Sequence, residues 1–438
     1  MTLLIVLSGI GILLVLITAF KLDAFLAFVM VSLYLGLARG LPFEDTISAI
    51  QTGIGDTLSS LVMILGFGAM LGKLVADSGA AQRITRSLVR FFGKDKIPWA
   101  LMLTGFVVGI PMFFSVGFVI LIPLVFTIGF TTGLPLLYIG IPLMAAMSVA
   151  HGYLPPHPGP AAVVEIFNAD MGTTLIYGIL IAIPAIIIGG PILSSRMKHY
   201  NPRPLEDFYV TRDVSGENLP SAGISFCCAL LPVILIGLSG IASLFLSGSG
   251  AVVHILKIAG DPVLAMLLSV LVGIYFLGLR RGRQMKPLME DLAHAVSSIT
   301  MVFLIIAGAG AFKEVMVQSG VSSYVADMLK GTGLSPLLLG WIIAAAIRIS
   351  IGSATVAALT AASIMLPMVR ASTVSPELMV IAIGAGSLIL SHVNDGGFWL
   401  VKEYFNLSIR ETLLTWTVME TVVAVIGLIG ALVLGVFV

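Results

Sequence analysis

The sequence predicts an all-α polytopic membrane protein with two inverted repeats, each having five transmembrane helices (one broken) and one re-entrant hairpin. Three observations predict this fold: the composition, the number of long apolar runs, and residues that recur at a constant offset. Of the 438 residues, 58% are hydrophobic and 10% are charged, whereas soluble proteins are about 45–50% apolar and about 25% charged. This composition excludes a soluble enzyme, a nucleic-acid-binding protein and a disordered scaffold.

The apolar runs define the expected spans, since a helix needs about 20 apolar residues to cross a bilayer. The clearest runs are 3–20, 24–38, 58–76, 134–168 and 173–193, followed by 224–247, 262–279, 296–317, 376–405 and 412–437. Two further stretches, 97–131 and 335–373, are longer than one span and have Pro-, Gly- and Ser-rich centres. Each could be two spans, but their length and broken centres favour a re-entrant hairpin.

Internal repetition divides the chain into two units. Residues of the first half recur in the same order in the second half, at offsets of 241 or 238 positions: Ser78-Gly79 as Ser319-Gly320, His151 as His392, and Phe167-Asn168 as Phe405-Asn406. We therefore expect repeats over 1–195 and 222–438, joined by the polar cytoplasmic linker 196–221. An odd number of spans in each repeat turns the second repeat upside down. Asn168 and Asn406 are expected to cap the helices that follow them.

The basic residues support one orientation of this arrangement. With both termini outside, fifteen Lys and Arg residues fall in inside segments, including Arg203 and Arg212, and four fall outside, namely Arg39, Lys257, Lys330 and Arg370. This asymmetry is the positive-inside bias of a correct topology.

Four interruptions lie within the apolar stretches, at 109–117, 150–160, 347–357 and 391–399. Non-helical backbone at membrane depth is tolerated only where it is buried in protein or lines a cavity. Such breaks also expose helix N-termini, whose free N–H groups suit an anion. Two hairpin tips that meet two broken helices near the midplane would form one pseudo-symmetric site.

The breaks carry polar side chains. Arg348 lies in an apolar stretch and is a candidate fork for a substrate carboxylate, although a structural ion pair with an acidic neighbour is the alternative. The hydroxyls of Ser115, Ser353 and Thr355 can bind a polyol or cap the helices at the hairpin tips.

Histidines and one aspartate are the titratable groups of the breaks. Asp395, His392, His151 and His157 are proton-relay or ligand candidates. The alternative for the histidines is that they hold unwound backbone carbonyls in place.

No cofactor or metal is expected. The sequence has no GxxxxGKS or GxxxxGKT phosphate loop and no zinc or haem spacing, so transport driven by a gradient or passive transport remains. A channel or a non-transporting sensor is a remote alternative.

Five motifs identify a resemblance: 66–84 (GFGAMLGKLVADSGAAQRI), 151–162 (HGYLPPHPGPAA), 167–172 (FNADMG), 348–361 (RISIGSATVAALTA) and 391–406 (SHVNDGGFWLVKEYFN). They resemble the gluconate permease (GntP) family of bacterial sugar-acid:proton symporters, over essentially the whole chain. That family belongs to a superfamily of ion transporters with inverted repeats and paired hairpins. The resemblance implies an inner-membrane homodimer with a static scaffold and a mobile transport domain, called an elevator. A membrane-embedded enzyme is not expected, because no nucleophile–base pair or metal motif is present, and no nucleic-acid partner is expected from the composition.

The expected function is therefore import of gluconate or a close sugar acid together with protons. The expected substrate-binding residues are Ser115, Gly117, His151, Arg348, Gly352, Ser353, Thr355, His392, Asn394 and Asp395. The expected proton-coupling residues are Asp395, His392, His151 and His157. One position departs from the family pattern, because relatives usually carry an acid where this chain has Ser115. A sodium-coupled or uncoupled carrier of another hydroxy-carboxylate or D-serine is thus the alternative.

Overall fold

The computed structural model describes residues 2–200, 202, 219–245, 251–321 and 335–438, and these contain helices and no β-strand. Eight helices in this part of the chain are long and apolar enough to cross a membrane, or nine if one bent pair is a single span. The prediction of an all-helical polytopic membrane protein is therefore confirmed. Most of the predicted linker 196–221, with Arg203 and Arg212, lies outside the described residues, as does Lys330.

The first half is a succession of α-helices whose bounds are Thr2–Thr18, Ala24–Ala38, Phe43–Asp77, Ala80–Phe92, Ile97–Gly109, Phe114–Thr132, Leu136–Tyr153, Pro158–Phe167 and Met171–Ile187. The last of these continues through a π-helical turn, Ile188–Ile192, to Ser195.

The described α-helices of the second half are Ala222–Phe245, Ala251–Ala259, Pro262–Gly273, Met285–Ser297, Thr300–Gln318, Pro336–Ile351, Ala354–Ala371, Pro376–Gly386, Gly396–Tyr404, Ile409–Thr412 and Val418–Leu434. A π-helical turn, Leu413–Thr417, joins the last two into one long helix.

Within apolar stretches there are four pairs of helices, and in each pair a short non-helical break separates the two helices. We call Ile97–Gly109 with Phe114–Thr132 the first hairpin, and Pro336–Ile351 with Ala354–Ala371 the second hairpin. The first broken helix is Leu136–Tyr153 with Pro158–Phe167. The second broken helix is Pro376–Gly386 with Gly396–Tyr404.

Two amphipathic helices are additional to the predicted spans. Ala80–Phe92 buries Ile84 and Leu88 on one face and carries three arginines, and Met285–Ser297 buries only Leu288 and Leu292. An amphipathic helix alternates apolar and polar residues with a period of 3.6, so it produces no continuous apolar run. The inside segments around 79–97 and 280–295, which the sequence defined only by their basic residues, are thus partly helical.

The expectation that Asn168 and Asn406 cap the following helices is wrong. Both adopt left-handed backbone conformations, with φ of 51° and 52°, just past the ends of the preceding helices. Asparagine tolerates this conformation better than most residues and often ends a helix there. The following helices are capped instead by Asp170, which accepts from the Thr173 N–H at 2.6 Å, and by Ser408.

Small residues let the broken helices and hairpins pack closely. A Cβ on Gly384 would lie 2.2 Å from the carbonyl oxygen of Gly152, so the two broken helices cross at these glycines. A Cβ on Gly105 would lie 2.2 Å from the Leu143 carbonyl oxygen, which places the first hairpin against the first broken helix. Close backbone approach through small residues is the usual packing mode of membrane helices. In this protein, the close packing of the hairpins and broken helices brings the four breaks together.

Candidate functional site

A cavity of about 510 Å³ lies where the tips of both hairpins meet the breaks of both broken helices and the Leu413–Leu434 region. This volume is within the range of small-molecule sites. The residues that line it and carry polar side chains are Ser115, Ser148, His151, Arg348, Ser353, Thr355, Asn394, Asp395, Trp416 and Glu420.

Three helix N-termini border the cavity. They belong to Phe114–Thr132 in the first hairpin, Ala354–Ala371 in the second hairpin and Gly396–Tyr404 in the second broken helix. A helix N-terminus carries a partial positive charge, which favours an anion. Ser353 caps the second of these helices by accepting from the Val356 N–H at 3.3 Å.

Arg348 is the central cation of the cavity and is 4% exposed. Its Nη2 donates to Oδ2 of Asp395 at 2.5 Å. Its Nε and Nη1 are also buried, and neither has a hydrogen-bond partner among the described residues. The ion pair with an acidic neighbour, which was the alternative interpretation of Arg348 from the sequence, is therefore present, and two donors of the guanidinium remain unused by the described residues.

Asp395 is held on both carboxylate oxygens. Oδ1 accepts from the Gly397 N–H at 3.1 Å, which caps Gly396–Tyr404, and Oδ2 accepts from Arg348 and from the Ser391 hydroxyl. Trp416 extends this network by donating Nε1–H to Ser391 Oγ at 2.7 Å. The Asp395 carboxylate thus positions Arg348 and the start of the helix at once.

The tip of the second hairpin contacts the second break directly. Gly352 has φ of +87°, and a Cβ there would lie 2.2 Å from the Asn394 carbonyl oxygen. Asn394 Nδ2 donates to the Ile349 carbonyl at 2.8 Å, and His392 Nε2 lies 3.1 Å from the same oxygen. His392 is outside the lining of the cavity, and its contact is with a backbone carbonyl in the last turn of Pro336–Ile351.

The two histidines of the first break contact each other, with His151 Nδ1 3.2 Å from His157 Nε2. Only His151 lines the cavity. His157 is 3% exposed, and its ring packs edge-on against Phe113 at 5.5 Å between centroids. His157 therefore supports the tip of the first hairpin.

Ser115 and Gly117 lie on the first hairpin but differ in position. Ser115 is exposed and lines the cavity, as do Ser353 and Thr355 on the opposite hairpin. Gly117 does not line it, and a Cβ there would lie 2.6 Å from the Met147 side chain. Gly117 permits packing between the hairpin and the first broken helix.

Ser148, Trp416 and Glu420 line the cavity and were not predicted. Ser148 lies on an apolar α-helix and Trp416 on a π-helical turn within another apolar helix, and neither gives a sequence signal for a binding residue. Glu420 had a signal, because it is the one charged residue within 412–438, and an acid inside a span is a functional candidate by default.

Comparison with known proteins identifies relatives along the whole chain. A family model described as GntP family permease matches residues 1–437. The chain is 49% identical over 434 residues to a high-affinity gluconate transporter of Escherichia coli, covering 99% of each. It is 48% identical to the Gnt-II system L-idonate transporter of the same species, covering 99% of this chain and 98% of the relative. A gluconate permease of Bacillus subtilis is 44% identical, with 98% of each chain covered.

Two solved structures share the fold. The YdaH transporter of Alcanivorax borkumensis matches with a TM-score of 0.68 at 19% identity, covering 94% of this chain and 97% of that one. MtrF of Neisseria gonorrhoeae, from a class of antimetabolite efflux pumps, matches with a TM-score of 0.66 at 16% identity, covering 92% and 94%.

Proposed function

Because this chain belongs to the GntP permease family, as an integral membrane transporter and not an enzyme, we propose that it imports gluconate or a close sugar acid together with protons. The observation that carries the proposal is that Arg348 uses one guanidinium nitrogen for its ion pair and keeps two buried donors, Nε and Nη1. These donors lie in a cavity bordered by three helix N-termini. A carboxylate satisfies both features, since it accepts charge-assisted hydrogen bonds and complements partial positive charge.

The polar groups around Arg348 suit the remainder of a sugar acid. In our proposal the carboxylate binds Arg348 and the N–H groups at the start of Ala354–Ala371 in the second hairpin. Ser115 and Thr355 contribute hydroxyls from opposite hairpins, and Asn394 contributes an amide. A hydroxylated chain needs such a ring of neutral donors and acceptors, because unpaired polar groups in a buried site weaken binding.

The architecture is proposed to be two inverted repeats, 1–195 and 222–438, with both termini in the periplasm of a bacterial inner membrane. The support is the similar order of elements in each half: a hairpin, a broken helix and a final long helix that contains a π-helical turn. We further propose a homodimer in which the hairpins and broken helices move as one transport domain. Breaks paired around one site are typical of such carriers.

The coupling ion is proposed to be the proton. The proton carriers expected from the sequence are Asp395, His151, His157 and His392, but their surroundings differ. Asp395 is engaged on both oxygens, His392 contacts the Ile349 carbonyl, and His157 packs behind the first hairpin. Of these four, His151 and Asp395 line the cavity. A sodium-coupled or uncoupled carrier is the second candidate, favoured by Ser115, which has no titratable group at the first hairpin tip.

Uptake of labelled gluconate into proteoliposomes tests the function. The proposal expects uptake above empty vesicles and accumulation when the outside is more acidic. Replacing sodium by choline at a fixed pH gradient separates the two candidates, since a sodium-coupled carrier would lose its accumulation. Absence of uptake with either gradient would overturn the assignment.

A competition profile then defines the substrate. Unlabelled gluconate and L-idonate are expected to block uptake, because the relatives named for these acids are 49% and 48% identical. Sorbitol, a neutral polyol without a carboxylate, is expected not to block it.

A further inference from the structure

Glu420 is the acidic residue of the cavity for which the arrangement described above has no role. It lies on Val418–Leu434, just after the π-helical turn, and is 1% exposed. Neither carboxylate oxygen makes a well-formed hydrogen bond with a described residue, although the Ser148 hydroxyl lies close enough to interact with the carboxylate. A buried carboxylate without a partner is costly when it is ionised, and such a group inside a membrane protein indicates function.

The groups around Glu420 define its electrostatic setting. Arg348 and Asp395 act on it across the cavity, and Tyr153 faces it from the first broken helix. The Tyr153 hydroxyl donates to the Val423 carbonyl at 2.9 Å, so that proton is already used. His151 shares the cavity, but its Nδ1 contacts His157. Two further titratable residues, Tyr177 and Glu377, lie on other helices packed against Val418–Leu434, and neither lines the cavity.

The protonation state of Glu420 sets the net charge of the cavity. Arg348 and Asp395 compensate each other as an ion pair. An ionised Glu420 then gives the cavity an excess negative charge, and it would compete with a substrate carboxylate for the attraction of the guanidinium. A protonated Glu420 removes that excess. Binding of the anion and binding of a proton at Glu420 therefore favour each other, and the coupling is reciprocal.

From this geometry we propose that Glu420 carries the coupled proton. A proton from the periplasmic water binds one carboxylate oxygen of Glu420 when the sugar acid binds Arg348, and both are released to the cytoplasm. Asp395 keeps a positioning role throughout the cycle, because its two oxygens hold Arg348 and the start of Gly396–Tyr404. This inference rests on the proposed function and assigns its coupling residue.

Replacement by the uncharged isostere tests the inference. In proteoliposomes, Glu420→Gln is expected to retain counterflow of labelled gluconate, because exchange needs only a bound substrate. It is expected to lose accumulation driven by a pH gradient, which for one coupled proton amounts to about tenfold per pH unit. Glu290→Gln is the matched control, since Glu290 is exposed on Met285–Ser297 and outside the cavity. It should accumulate gluconate like the wild type.

A proton count gives a second, independent test. Titration calorimetry with gluconate in buffers of different ionisation enthalpy should show proton uptake on binding for the wild type and for Glu420→Asp. It should show none for Glu420→Gln.

Three outcomes would overturn the inference. They are gradient-driven accumulation by Glu420→Gln, equal proton uptake by Glu420→Gln and the wild type, or loss of gluconate exchange in folded Glu420→Gln and folded Glu420→Asp protein. The last outcome would give Glu420 a purely structural role. Failure of the wild type to transport gluconate is distinguishable from all three, because it contradicts the proposed function itself.

Discussion

Arg348 donates Nη2 to Oδ2 of Asp395 at 2.5 Å, and this ion pair connects the tip of the second hairpin to the break of the second broken helix. The two residues are 47 positions apart in the chain. The pair uses one guanidinium nitrogen and leaves Nε and Nη1 without partners among the described residues. Asp395 thus fixes where Arg348 points without consuming its capacity to bind an anion.

Asp395→Asn is expected to lower the stability of the folded protein by about 3–5 kcal/mol, because it leaves the buried Arg348 charge uncompensated. Thermal unfolding in detergent, followed by intrinsic fluorescence, measures the change. Asp291→Asn is the matched control: it breaks the Arg283–Asp291 pair, in which the side chains are 32% and 38% exposed. Such exposed pairs contribute about 0–1 kcal/mol, so an equal loss in both variants would contradict the positioning role.

Gly352→Ala is expected to reduce both stability and gluconate uptake. Gly352 has φ of +87°, and its added Cβ would lie 2.2 Å from the Asn394 carbonyl oxygen, so the hairpin tip must move away from the second break. Gly40→Ala is the matched control, with φ of +86° and nothing within 4 Å of its Cβ. The control carries only the backbone cost of about 1–2 kcal/mol. Equal unfolding temperatures and transport rates for the two variants would count against a close contact at Gly352.

Trp416→Phe is expected to raise the KM for gluconate more than it lowers the maximal rate. In the wild type the Trp416 and Phe114 ring centroids are 5.3 Å apart, and the substitution keeps an aromatic ring at this position. It removes the indole N–H that donates to Ser391 in the Asp395 network. Trp341→Phe removes a similar bond, to the Ala424 carbonyl at 3.1 Å, outside the cavity. Uptake kinetics compare the two variants. An equal rise of KM in both would show that the network at Ser391 does not position Arg348.

The proposed topology predicts the side of two exposed lysines. In a variant with Cys227 and Cys228 replaced by Ser, a cysteine at Lys257 is expected to react with a membrane-impermeant thiol reagent added outside intact spheroplasts. A cysteine at Lys286 is expected to react only after the membrane is opened. Mass shift of the labelled protein measures this, and the reverse pattern would invert the assigned orientation.

The sequence predicted the places where the helices break but not how the breaks contact each other. Pro155, Pro156, Pro158 and Pro160 cannot all lie in a regular helix, and the first broken helix is interrupted at Leu154–His157. Spacing along the chain carries no information on a contact between residues as distant as Arg348 and Asp395. That contact depends on the close approach of the second hairpin tip to the second break, at Gly352 and Asn394, which is a property of three-dimensional packing.

Two kinds of feature escaped prediction for different physical reasons. The amphipathic helix Ala80–Phe92 was not predicted because its charged residues interrupt the run of apolar residues by which spans were recognised. Glu420 was not predicted because it lies in an apolar run outside the four breaks, where the other candidate residues were expected. The separation of the cavity residue His151 from His157 and His392 also required the structure, since all three lie in or beside the breaks.

The central claim is that Arg348 binds the carboxylate of a sugar acid in this cavity, and gluconate counterflow tests it most directly because no driving gradient is needed. Vesicles loaded with unlabelled gluconate and containing the wild-type protein should transiently concentrate labelled gluconate. Arg370→Ala, which removes an exposed arginine at the end of the second hairpin, should behave like the wild type. The account predicts no counterflow for Arg348→Ala and a severe loss for Arg348→Lys, which keeps the charge but not the planar fork. Counterflow at the wild-type rate by folded Arg348→Ala protein would contradict it.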